Sequence, residues 1–175
     1  MRKQFASSVF LTFALSLFSL FGYAEQANVT PTPVKNGDNI HAEIQVSRKQ
    51  ALADVLKEAD DLGVEIRSNE EAEEYLNYAA RMSGIEPDQM HAATLGDDLI
   101  MVRAIHKNNP RILREELLHT QQQKAGIAVN NESVTHAEIE VRMQMIQNRY
   151  KWGITEDEVQ EMLNDIRLIE KRGGY

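Results

Sequence analysis

The chain is 175 residues long, carries 27 acidic against 19 basic side chains for a formal charge of −8, and contains no cysteine. An acidic balance with no Lys/Arg-rich stretch argues against nucleic acid as the main partner, because phosphate binding needs clustered positive charge. Without cysteine no disulfide contributes, so stability must come from a packed core and from any ion the chain holds.

Met1-Arg2-Lys3-Gln4 is a short basic start, residues 5 to 21 carry no charge, and Gly22-Tyr23-Ala24 places small residues where a signal peptidase reads. Residues 1 to 24 therefore read as a cleavable secretory signal, and the product as periplasmic or secreted. A retained membrane anchor is the competing reading, since the apolar run approaches the length of a bilayer span, but its serines and small-residue site favour removal. No cysteine follows the run, which rules out a lipoprotein anchor. Cleavage takes away Arg2 and Lys3 and no acid, so the remaining protein is more negative still. Residues 25 to 45 hold Pro31, Pro33 and Gly37 among polar residues and read as a flexible leader; residues 46 to 175 read as a single domain.

Within that domain, Ser47 is placed to cap a helix running to about Asp61 with an apolar face of Ala51, Leu52, Val55 and Leu56; Gly63 stops it before a short strand at 64 to 66. Ser68-Asn69-Glu70-Glu71 has the form of a capping box and opens a second helix to about Met82. Glu86-Pro87-Asp88 is a turn. Two extended segments, 91 to 95 and 99 to 105, then meet across Gly96-Asp97-Asp98 as a hairpin. Pro110 stands at a first helical position, and that helix runs to about Lys124 before Gly126. Ser133 or Thr135 opens a fourth helix to about Tyr150, Trp152-Gly153 marks a tight connection, and Thr155-Glu156-Asp157-Glu158 caps a final helix. That last helix carries Val159, Met162, Leu163, Ile166 and Ile169 on one face.

The segment with the most chemistry is Glu115-Glu116-Leu117-Leu118-His119 on the third helix. It has the layout of the zinc-protease motif H-E-x-x-H with the first His replaced by Glu. Ile112, Leu113 and Leu117 form an apolar stripe at 3.6-residue spacing, and Glu116 falls inside it, where a carboxylate needs a reason. Glu115 and His119 are four apart and Glu116 and His119 three apart, so both acids lie beside the imidazole. In a zinc protease the first and fifth residues hold the metal and the second activates water, which makes Glu115 and His119 ligands and Glu116 the general base. The bland alternative is that both acids are solvated and His119 is an ordinary partly buried histidine.

The fourth helix supplies a third ligand. Glu138 projects on the side of Val141, Met145 and Ile146, whereas Glu140 lies about 200° away beside His136, so the two acids cannot serve one site from a regular helix. Glu138 is chosen over Glu140, although Thr135-x-x-Glu138 also matches a capping box that would give Glu138 a structural role. Three ligands and an open position for water are what metal-assisted hydrolysis requires.

Ile100-Met101-Val102-Arg103, then Arg114-Glu115-Glu116-Leu117-Leu118-His119-Thr120-Gln121-Gln122, then Glu138-Ile139-Glu140 and a long acidic C-terminal helix, together resemble the zincin-like metallopeptidase domains of bacterial polymorphic toxins. The likeness covers roughly residues 64 to 170 and rests on the order and spacing of short motifs. It implies a small zincin-like α+β fold, mostly helical with a short antiparallel sheet or hairpin before the active-site helix, and a zinc-dependent peptidase acting on a peptide or protein. It also implies a cognate immunity protein as partner, with Glu116 as the catalytic acid and His119 and Glu138 as metal ligands. Glu115 stands where many zincins have His, and a carboxylate-rich site also suits Mn2+ or Fe2+.

The competing functional class is a non-enzymatic exported binding protein in which the Glu/His cluster is structural. The remaining histidines, His41, His91 and His106, read as surface residues without ligand spacing to one another. His136 reads as a solvated first-turn histidine, and Met143 and Met145 as core or helix-contact residues.

Overall fold

The computed structural model describes residues 46–127 and 131–172, with side chains at 131–133 and 172 set aside; the expected signal sequence and leader, residues 1–45, lie outside the described residues. Five α-helices and three strands follow in the order α1 (Arg48–Leu62), β1 (Glu65–Arg67), α2 (Glu70–Ser83), β2 (Ala92–Leu95), β3 (Leu99–Val102), α3 (Pro110–Lys124), α4 (Asn131–Gln147) and α5 (Glu156–Arg172), with 3-10 turns at Pro87–Gln89 and Ala104–His106. This is a small α+β fold.

Local signals set most boundaries. The Ser47 hydroxyl accepts from the Gln50 amide, and Gly63 closes α1 with φ +72°, a left-handed conformation that costs glycine little. α1 buries Ala51, Val55 and Ala59 at i, i+4, i+8, leaving the expected Leu56 exposed. α2 is capped by Asn69, whose side chain accepts from the Ala72 amide, one residue later than the expected Ser68 box. The Thr155 box does form, with Thr155 N–H donating to Glu158 Oε2 at 2.8 Å and Glu158 N–H to Thr155 Oγ1 at 3.3 Å.

The sheet order is β1-β3-β2. The expected hairpin is present, with Ala92 opposite Val102 and Leu95 opposite Leu99. The sheet is mixed rather than antiparallel, however, because β1 adds parallel to β3 with Ile66 opposite Ile100. α2 and β2 together form the connection a parallel pair requires. β3 ends at Val102 rather than at 105. There the Arg103 guanidinium turns back to bond Met90 O at 2.7 Å and Glu73 Oε2 at 2.6 Å, while Glu73 Oε1 accepts from the Ala104 amide at 2.8 Å and starts the 3-10 turn.

Strand alternation sorts the core into two layers. Ala92, Ile100 and Val102 meet Val55, Ala59, Ile112, Leu113 and Leu117 of α1 and α3. Ala93 and Met101 meet Ala72, Leu76 and Ala80 of α2. A third cluster joins Leu118 of α3 to Val141 and Met145 of α4 and to Val159 and Met162 of α5. Helix α3 is thus packed on both sides, against the sheet and α1 on one and α4 and α5 on the other. That is why its polar residues from Arg111 to Thr120 are buried with its leucines.

Helix α4 begins at Asn131, before either expected opening, so Thr135 lies inside the helix and is not its cap. Its buried face, Ala137, Glu138, Val141, Arg142 and Met145, holds it against α3, and packing rather than a local cap decides its extent. Met143 is exposed and only Met145 is core. After α4, Gly153 takes φ +60° where a Cβ would lie 2.8 Å from the Val46 carbonyl oxygen, and Trp152 stacks beneath the Arg114 guanidinium at 4.7 Å.

Candidate metal centre

The α3–α4 contact is a polar seam built from helical spacing. Arg111, Glu115, His119 and Gln122 recur at four, four and three residues along α3, and Glu138 and Arg142 are four apart on α4. The helices run antiparallel, so Glu115 meets Arg142, His119 meets Glu138, and Gln122 reaches Ala137. Every one of these side chains is buried. The bland expectation of solvated acids is overturned: Glu115, Glu116 and Glu138 are 0–1% exposed and His119 4%.

Candidate ligand atoms of Glu115, His119 and Glu138 all lie within 4.8 Å of one another. His119 Nδ1 stands 3.1 Å from Gln122 Oε1. Gln122 Nε2 donates to Ala137 O and Glu140 Oε2, both at 3.1 Å, which fixes the amide so that its oxygen accepts from Nδ1–H. In the neutral ring this leaves Nε2 with its lone pair, facing Glu138 Oε1 at 3.5 Å. Nε2 has no hydrogen-bond partner among the described residues, and neither does either carboxylate oxygen of Glu115. A lone pair facing a carboxylate in a buried place calls for a proton or a cation between them.

Arg142 supplies part of the balancing charge. Its Nη1 lies 2.5 Å from Glu138 Oε2, its Nη2 3.3 Å from Glu115 Oε1, and its Nε 3.8 Å from Asp165 Oδ2 on α5. Arg111 Nη2 stands 3.7 Å from the other Glu115 oxygen. Burial pushes the Glu115 carboxyl up, but Arg111, Arg142 and His119 outweigh it and hold the group below the ordinary carboxylate range. For His119 burial pushes downward, and the carboxylates of Glu138, Glu116 and Glu115 reverse it, raising the imidazole above its ordinary value. Burial also raises Asp165, against the pull of Arg142 and Arg111.

Glu116 sits on the sheet side of α3. Thr94 of β2 points to the same face as Ala92, and its hydroxyl lies 2.8 Å from Glu116 Oε2 and 3.0 Å from Glu116 O. Burial lifts the Glu116 carboxyl to about 7, with neighbouring Glu115 and Glu138 adding to the rise and His119 and Thr94 opposing it. Glu116 is within electrostatic reach of His119, Glu115 and Glu138, and a carboxyl that exchanges its proton near neutrality can serve as general base and then general acid.

Of the residues singled out from sequence, Glu115, His119 and Glu138 come together; Glu116 is buried on the sheet side of α3 against Thr94, and His136 is exposed, neither being among the grouped ligands. Glu140 is exposed and accepts from Gln122 Nε2 at the edge of the site. His91 and His106 are not surface residues: both are partly buried, and their rings lie 4.2 Å apart between centroids, drawn together where the Arg103 amide bonds His91 O. Burial, then His106, Arg111 and Arg103, lower His91 to about 4. Arg142, Gln122 and Arg111 were missed, although their spacings to Glu138, His119 and Glu115 on the same helix faces are readable; Thr94 is joined only by tertiary packing. No protein-family model matches the chain, and no similar protein is found among curated sequences or solved structures.

Proposed function

We propose that this protein is an exported metal-dependent peptidase in which Glu115, His119 and Glu138 hold one divalent ion, zinc by preference and manganese or iron as alternatives. The observation that carries the reading is the convergence of three buried ligand side chains from two helices, with His119 Nε2 and both Glu115 oxygens lacking hydrogen-bond partners among the described residues. One nitrogen and two carboxylates suit a first-row divalent ion, and the Nδ1–Gln122 hydrogen bond is the outer contact such a ligand uses to fix its tautomer. When bound, the ion supplies Lewis-acid polarisation of a substrate carbonyl and acidifies water. Glu116 takes the proton of the attacking water and returns it to the departing amine, with Thr94 holding its carboxylate. The basic start, uncharged run and small-residue site of residues 1 to 24 support export, and the substrate class is a peptide or protein. Toxin activity, with a cognate immunity protein, is the form of this reading that the motif resemblance supports.

A second reading is favoured by one contact set. Arg142 already pairs with both Glu115 and Glu138, so the seam also reads as a metal-free ion network that fixes helices in an exported binding protein.

Metal analysis of the purified protein beside H119A, without chelator, decides between them. About one equivalent of transition metal, lost in H119A, together with peptide hydrolysis abolished in a metal-retaining E116Q, is the expected result. No bound metal after incubation with zinc and manganese sinks the peptidase reading.

A further inference from the structure

We infer that Arg142 is an internal counter-cation that competes with the divalent ion for Glu115 and Glu138, and so sets how tightly the site loads. The inference rests on the metal-site reading. Its basis is that one guanidinium straddles two of the three candidate ligands, with Nη1 2.5 Å from Glu138 Oε2 and Nη2 3.3 Å from Glu115 Oε1. The pairing uses an oxygen of each carboxylate and leaves Glu138 Oε1 to face His119 Nε2. Arg142 is itself 2% exposed, so its charge acts at short range in a poorly screened place.

Two consequences follow from this placement. Without an ion, Arg142 keeps two buried carboxylates from standing uncompensated, and the fold does not depend on metal. With an ion, a guanidinium beside a divalent cation is repelled, and its tight pair with Glu138 weakens. Asp165 of α5 gives the displaced charge a partner, since its Oδ2 already lies 3.8 Å from Arg142 Nε. Loading is then an exchange of one cation for another, with Arg142 moving its interaction toward α5.

The test is zinc affinity, measured by competition with a chromogenic chelator, for the wild type, R142M, R142K and H119A, with thermal melts of each in chelator and in zinc. R142M is expected to bind zinc at least about tenfold more tightly than the wild type, and to gain more melting temperature from zinc. R142K keeps the charge and is expected to stay within about threefold of the wild type. Should R142M be unfolded in chelator, zinc is expected to fold it; failure of zinc to do so overturns the inference. Unchanged or weaker zinc binding by R142M overturns it as well. In that case the metal site itself still stands provided the wild type holds one equivalent that H119A loses. No zinc in the wild type overturns both.

Discussion

Glu116 offers a sharp test of the site's electrostatics, because its carboxyl is raised from 4.5 to about 7 chiefly by burial. A folded pKa above the unfolded one means that the folded state holds the proton longer. Between those two values stability falls as pH rises, and below the unfolded value nothing is lost. At about 1.4 kcal/mol for each factor of ten, ionising Glu116 in place costs about 3 kcal/mol by pH 8. Glu116→Gln keeps the size and an acceptor for the Thr94 hydroxyl but removes the titration. His119, which burial pushes down and its carboxylate neighbours raise, keeps Glu138 and Glu115 in the variant, so its contribution fades with rising pH in both proteins and more steeply in the wild type. Urea unfolding at pH 5 and pH 8 in chelator should show the wild type losing about 2 kcal/mol or more beyond Glu116→Gln over that span, part of the loss having already occurred below pH 5. Equal slopes for the two proteins would refute the buried carboxyl raised toward neutrality. Saturating zinc should flatten the wild-type slope, since a nearby divalent cation favours the ionised acid.

Other perturbations probe the scaffold. Leu117→Ala empties a fully buried position in the layer between α1, α3 and the sheet and should cost about 2–5 kcal/mol in a denaturant titration. Gly153→Ala meets both a φ of +60° and a Cβ placed 2.8 Å from Val46 O; a loss of about 1–3 kcal/mol is expected, and a melting temperature equal to wild type would contradict it. His91 is lowered to about 4, so the unfolded chain takes up a proton first and wild-type stability should fall as pH drops from 6.5 toward 4. His91→Gln should reduce that acid-side loss by a modest amount, His91 being only partly buried, as read from melting temperatures at pH 4.5 and 7.

What could be read from sequence is what short-range chemistry decides. Pro110 at the helix start, with the Asn109 side chain accepting from the Arg111 amide at 3.0 Å, fixes α3 from within its own first turn. The choice of Glu138 over Glu140 needed only the angular step of a helix, and burial separates the two as that step demands. The parallel addition of β1 was not readable, because a strand of three residues carries no period of its own and its partner lies more than thirty residues away. The His91–His106 contact failed to register for the same reason: it follows from the bend after Val102, which Arg103 and Glu73 create through contacts across the fold.

The seam between α3 and α4 joins these two kinds of information. Each helix presents a row of charges at four-residue spacing, readable in isolation, but only their antiparallel register decides which charges meet. Arg142 shows what that register changes. Four residues from Glu138 on an isolated helix it is an ordinary exposed ion pair, of the kind that contributes little. Buried opposite Glu115, it pairs with both acids, and its removal would leave them without that counter-charge in the interior. The same register places His119 Nε2 against Glu138 rather than against a donor, so beside His119 the seam is closed by a proton on the imidazole or by a cation. A structural network closes that end with a proton and a metal centre closes it with an ion, which is why metal analysis beside H119A discriminates between the two.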